Sequence, residues 1–190
     1  ELAEYKVQKL LGNPASNPTE NLDFYDAEME DCTDSYAQYI AEQLANLQEP
    51  IVLVEQRLDF SRYVPSGFGT GDCVIVADDV LTVIDFKYGK GVAVSADHNS
   101  QMMLYALGML RKLKRLYDIT AVRLVIFQPY AGGADEWDTT PEALELFGKF
   151  ASKAALNAWS ESLAIEVRPF GIRVHVVLPG RSPETKFGEN

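Results

Sequence analysis

The spacing of apolar and polar residues along this chain changes several times, and each change marks an element. In Glu1–Leu11, Leu2, Tyr5, Val7, Leu10 and Leu11 fall near one face of a helix that Gly12-Asn13-Pro14 stops. Ala15–Leu22 is a polar loop. Across Tyr25–Leu47, Met29, Tyr36, Ile40, Leu44 and Leu47 recur at threes and fours, with acidic residues early, where the helix dipole favours them, and Pro50 as the end. The period then falls to two. Ile51–Phe60, Asp72–Ala77 and Leu81–Phe86 read as strands, the last two joined into a hairpin by Asp78-Asp79. Tyr88–Gly91 is a turn, and Gln101–Leu116 is a helix with Met103, Leu104, Leu107, Leu110 and Leu113 on its buried side. Ala121–Gln128 is a fourth strand, stopped by Pro129. Beyond the loop Ala131-Gly132-Gly133, Pro141–Lys149 and Ala151–Val167 read as two helices, Gly171–Leu178 as a strand and Pro179–Asn190 as a polar tail. This order predicts an α/β (α+β) protein, a mixed sheet flanked by helices.

Composition narrows the class. The 190 residues are 47% hydrophobic and 24% charged, which suits a globular core and excludes collagen-like and largely disordered chains. The formal net charge of −11 is uneven: residues 1–150 hold 12 basic and 24 acidic side chains, residues 151–190 five and four. No basic coat for nucleic acid is visible, but clustered carboxylates suit a divalent cation. Cys32 and Cys73 stand alone, which argues for reduced thiols in a cytoplasmic protein and against a four-cysteine metal site. The apolar runs are too short to cross a bilayer, so no membrane association is expected. The chain opens without Met, on a helix already under way, and is read as truncated at its N-terminus.

The candidate chemistry lies in Gly69-Thr70-Gly71-Asp72 and Asp85-Phe86-Lys87. Residues two apart in a strand share a face, so Asp85 and Lys87 project together, and a hairpin partner brings Asp72 beside Asp85. Two carboxylates and an ammonium group can hold a hard cation, orient a water and offset phosphate charge. A lone Asp-x-Lys is ordinarily a solvated strand end. Here Lys87 closes the apolar strand Val83-Ile84-Asp85-Phe86, and the next helix opens with Gln101 and Tyr105 one turn apart. Gly67-x-Gly69-x-Gly71 leads into a strand rather than from strand to helix, which excludes a dinucleotide fingerprint. The basic cluster Arg111, Lys112, Lys114 and Arg115 is read as a solvated helix end in preference to a phosphate grip, and His98 as an exposed loop residue.

The run Gly69-x-Gly71-Asp72, Asp85-x-Lys87, Gln101-x-x-x-Tyr105 resembles the RecB-like branch of the PD-(D/E)xK nuclease superfamily. More closely, Val54–Leu58, Gly67–Asp72, Val83–Gly91 and Gln101–Gly108 look like an uncharacterised phage and prophage family within it, the likeness covering about residues 1–148. The resemblance implies a restriction-endonuclease-like fold and metal-dependent hydrolysis of DNA with Mg²⁺ or Mn²⁺. It implies Asp72, Asp85 and the Phe86 carbonyl as metal ligands, Lys87 as the catalytic lysine, and Gln101 and Tyr105 as nucleic-acid-facing residues. Phage replication or recombination proteins are the implied partners. The branch has a His near the start of its first helix and an acidic residue about a turn later; this chain starts beyond the His. Glu4 is a candidate for the acidic member, a solvated helix-start Glu being the alternative, and Glu55 is a further candidate. A non-catalytic nucleic-acid- or protein-binding module on the same fold is the rival reading.

Residues ~150–187 carry a different likeness. Ala151-Ser152-Lys153-Ala154-Ala155-Leu156, Ser162–Glu166 and Gly171-Ile172-Arg173-Val174 resemble a short-chain dehydrogenase/reductase, with Lys153 at its lysine position. The catalytic tyrosine position holds Lys149, and the cofactor-binding half is absent, so an NAD(P)-dependent oxidoreductase is disfavoured. Two segments are expected: a nuclease-like domain, 1–148, and a helix–strand fragment, 149–190, joined near residues 148–151 as in a chimera.

Overall fold

The computed structural model describes residues 1–168 and 173. Four helices and five strands follow in the order α1 (Leu2–Leu10), α2 (Ala27–Leu44), β1 (Ile51–Asp59), β2 (Phe68–Ala77), β3 (Val80–Phe86), α3 (Ser100–Leu113), β4 (Ala121–Gln128), β5 (Gly133–Thr139) and α4 (Pro141–Val167). The strands form one sheet in the order β1-β2-β3-β4-β5, antiparallel except for the β3–β4 pair. That parallel pair needs a crossover, and α3 provides it. The expected mixed sheet flanked by helices is therefore the observed α/β architecture.

Strand alternation divides the apolar residues between two layers. Leu58, Val74, Val76, Leu81, Val83, Val122, Leu124 and Ile126 pack against Met102, Met103, Ala106, Leu107 and Leu113 of α3 and Leu144 of α4. On the other face Cys73, Ile75, Ile84, Val125 and Phe127 meet Val7 of α1 and Tyr36 and Ile40 of α2. Local chemistry sets the element ends. The side chain of Asp26 accepts from Met29 N–H (2.7 Å) to start α2, and Asn99 accepts from Met102 N–H (3.2 Å) to start α3. Asp78 and Asp79 take φ of 50° and 61°, the pair of left-handed residues that a tight hairpin needs, so Ala77 lies opposite Val80.

Two expectations are corrected. Gly133–Thr139, to which the sequence pattern gives no element beyond the loop Ala131-Gly132-Gly133, is an edge strand on β4. The two helices expected over 141–167 are one, α4, which passes unbroken through 148–151. Gly148 does not end it; a Cβ there would lie 2.5 Å from the Tyr63 ring, so the glycine lets α4 pack against the loop after β1. The strand expected at Gly171–Leu178 and the tail after it lie outside the described residues. Among the described residues no helix is long and apolar enough to cross a membrane.

Candidate functional site

The sheet is irregular at one place, where β1 and β2 face each other at Glu55 and Asp72. Val54 pairs with Cys73 and Gln56 with Gly71, but the pair between them is missing, and Glu55 has a left-handed φ of 52°. Side-chain facing changes there. Val54 and Cys73 belong to the layer under α1 and α2, whereas Leu58 belongs to the α3 layer, and a Cβ on Gly71 would meet Leu58 and Val74 there. In a regular strand residues two or four apart share a face. The switch aims Asp72 at the helix α1 side, where it lines a cavity of about 220 Å³ with Glu1, Ala3, Glu4, Val7, Tyr36, Val54, Glu55 and Phe86.

Three of the sequence-predicted acidic residues, Glu4, Glu55 and Asp72, thus line one cavity. Burial pushes the half-buried Asp72 carboxyl up to about 6; the Phe86 N–H, which donates to Asp72 Oδ2 at 2.6 Å, pulls it down, and the carboxylates of Asp85 and Glu55 push it further up. Glu55, at the exposed mouth, is also raised, first by partial burial and then by Glu4. Carboxylates gathered in this way at mutual cost fit a hard divalent cation, which takes oxygen ligands. Among the described residues, no three His, Cys, Asp or Glu side chains are already close enough together to hold an ion.

The other predicted residues form a second row, one residue along β3. Asp85 is buried, and its Oδ2 lies 2.8 Å from Lys87 Nζ, as strand alternation requires. Gln101, on the first turn of α3, donates from Nε2 to the Tyr105 hydroxyl (3.0 Å) and weakly to Asp85 Oδ1 (3.4 Å), while Lys87 Nζ approaches Gln101 Oε1 at 3.5 Å. A Cβ on Gly69 would collide with the Tyr105 ring, so the glycine of Gly69-x-Gly71 is what lets Tyr105 lie over β2. Phe86 joins the two groups: it lines the cavity, its N–H holds Asp72, and it sits between Asp85 and Lys87.

Other side chains were not singled out in the sequence. Gln128 is buried at the end of β4; its Oε1 accepts from Val94 N–H at 2.7 Å, and Asp135 of the unforeseen β5 accepts from Ala96 N–H at 2.6 Å and Ser95 Oγ at 2.9 Å. Together they tie down the connection from Lys87 to α3, and hence the start of the helix that carries Gln101. Polar residues at strand ends give no sequence signal for this. The basic helix end is partly engaged, Lys112 donating to Gln56 Oε1 at 2.7 Å and Arg111 lying 3.9 Å from Asp59. His98 is exposed, its Nδ1 lies 2.6 Å from Asp97 Oδ1, and its ring packs on Trp137 with centroids 4.6 Å apart.

A buried carboxylate paired with a lysine at the end of a central strand, beside an acidic cavity, is the candidate site of this α/β protein. The chain belongs to the family described as protein of unknown function DUF2800, whose model matches residues 1–167. The boundary expected at 148–151 falls inside that match. Among solved structures, an alkaline exonuclease from Laribacter hongkongensis is 14% identical with a TM-score of 0.38, covering 90% of this chain and 83% of its own. A second, SSO0001, is 12% identical with a TM-score of 0.28, covering 83% and 84%. At these TM-scores neither likeness bears on what this chain does.

Proposed function

We propose that this chain carries the centre of a metal-dependent DNA nuclease of phage or prophage type, acting in the cytoplasm. The observation that carries the reading is the pairing of buried Asp85 with the partly exposed Lys87 beside the cavity of Glu4, Glu55 and Asp72, the order of motifs that resembles the PD-(D/E)xK nucleases. Asp72 and Asp85 would hold Mg²⁺ or Mn²⁺, with the Phe86 carbonyl and either Glu4 or Glu55 as further oxygen donors. When bound, such an ion polarises a phosphoryl oxygen and makes a bound water more acidic.

The chain's own residues do the rest. Asp85 fixes the Lys87 ammonium, whose side chain is about a third exposed, so the charge is both oriented and within reach of a phosphodiester oxygen. Gln101 and Tyr105 present amide and phenol groups beside it, on the side a nucleic-acid strand would occupy. The acidic surface opposes DNA, and cation binding at the cavity would offset part of that charge.

The rival, a non-catalytic binding module, is favoured by one observation: no preassembled three-ligand cluster is present among the described residues. Titration with Mn²⁺ separates them. Saturable Mn²⁺ binding that Asp85→Ala abolishes supports the nuclease; DNA binding indifferent to metal, with no Mn²⁺ bound, supports the module.

A further inference from the structure

Tyr36 is the polar side chain in the acidic cavity that no motif accounts for. It projects from the middle of α2, is 2% exposed, and packs against a tilted Phe86 ring and edge-on against Phe127, with ring centroids 4.7 and 5.5 Å away. Its ring is core. Its hydroxyl is not explained by the core: it is buried and makes no hydrogen bond with the described residues, and Tyr36 is one of the residues that line the cavity with Glu4, Glu55 and Asp72. A phenylalanine would fill the same aromatic cluster without burying an unpaired hydroxyl, and such groups in native proteins call for a particular cause. The carboxylates that line the cavity are acceptors, yet none comes within hydrogen-bond distance of the hydroxyl, and the cavity they share with Tyr36 measures about 220 Å³. That volume accommodates several waters, each needing about 30 Å³.

We propose that the Tyr36 hydroxyl is a positioning group of this site, hydrogen-bonding a water held in the cavity as part of the shell of a divalent cation bound by the carboxylates. The inference rests on the nuclease reading and extends it to a residue from the opposite layer of the fold. A hydroxyl can donate and accept at once, whereas each ionised carboxylate only accepts, so Tyr36 supplies the donor that the acidic wall lacks. It also explains why α2, remote in sequence from every motif, brings a polar atom to the site. Such outer partners of metal ligands commonly govern affinity about 10- to 100-fold.

The test is Mn²⁺ titration of the full chain by electron paramagnetic resonance, comparing wild type, Tyr36→Phe and Glu55→Gln, with metal-free thermal melting alongside. Tyr36→Phe keeps the ring, so its metal-free melting temperature is expected to equal or exceed that of wild type, while Mn²⁺ affinity falls by about tenfold. Glu55→Gln is expected to weaken binding as well, which places the ion in the cavity. Wild-type affinity in Tyr36→Phe, within about threefold, overturns the inference and leaves the nuclease reading standing. A lower metal-free melting temperature in Tyr36→Phe also overturns it, since the hydroxyl would then have a protein partner. Failure of wild type itself to bind Mn²⁺ removes both.

Discussion

Asp72→Asn should make the metal-free protein more stable at neutral pH, and the size of the gain can be worked from the site. Burial raises the Asp72 carboxyl from its ordinary 3.8 to about 6 in the folded chain. For a carboxylate whose folded value is raised, the stabilising contribution is fully present below the unfolded value and is lost as pH rises through the folded one. A shift of that size corresponds to about 3 kcal/mol once pH exceeds 7. Asparagine never ionises, so it escapes this cost, and its amide oxygen accepts from Phe86 N–H as a neutral carboxyl would, the stronger bond to the carboxylate being already contained in the shifted value. The net gain expected at pH 8 is therefore about 2–3 kcal/mol. The sharper quantity is its pH dependence: the stability difference between variant and wild type should widen by about 2 kcal/mol between pH 4 and pH 8. Urea unfolding of both proteins in EDTA across that range measures it. A difference independent of pH, or one that turns against the variant as pH rises, would refute the account of Asp72 as a carboxylate held at electrostatic cost. Saturating Mn²⁺ should reverse the order, stabilising wild type and leaving Asp72→Asn unmoved.

Other substitutions probe the supporting contacts. Lys87→Met leaves the buried Asp85 carboxylate without its cation and should cost about 1–3 kcal/mol in urea unfolding, the partial exposure of Lys87 keeping the loss below that of a fully buried pair; Asp85→Asn in the same chain should recover part of it. Gly69→Ala forces a methyl into the Tyr105 ring and should cost about 1–3 kcal/mol, with a change in tyrosine fluorescence that reports the displaced ring. Gln128→Ala strands the Val94 N–H and should speed limited proteolysis within residues 88–95 severalfold, while unchanged cleavage would show that Asp135 alone holds that connection.

The strands β1 to β4 were legible because each carries a period of two with large apolar residues on at least one face. The fifth was not: Gly133–Thr139 has Trp137 as its one large apolar residue, and as an edge strand it needs only β4 to pair with. The unbroken α4 was hidden by the change of likeness near residues 148–151, which separates Pro141–Lys149 from Ala151–Val167, whereas Gly148 serves close packing against Tyr63. At the site, Asp85 and Lys87 could be placed together from strand alternation alone. The hairpin register also puts Asp72 and Asp85 next beyond the last bonded pair, Cys73 with Ile84. Which way Asp72 points could not be read, because it depends on the left-handed Glu55 across the sheet, and nothing in Val54-Glu55-Gln56 announces that conformation. Tyr36 was legible only as a member of the α2 apolar stripe; its ring fits that stripe, and only the three-dimensional cavity reveals where its hydroxyl ends. The two segments expected on either side of 148–151 share one helix and one family match up to residue 167.

The central claim is that Asp85 and Lys87 form the working pair of a metal-dependent nuclease. Incubating the purified chain with fluorescently end-labelled DNA and Mn²⁺, beside Lys87→Ala, tests it most directly. Wild type is expected to release labelled products only when Mn²⁺ is present, and Lys87→Ala to bind Mn²⁺ yet lose at least about a hundredfold in rate, the scale of one lost electrostatic or acid–base group. Cleavage that survives Lys87→Ala at the wild-type rate, or intact DNA with a wild-type chain that has Mn²⁺ bound, would contradict it.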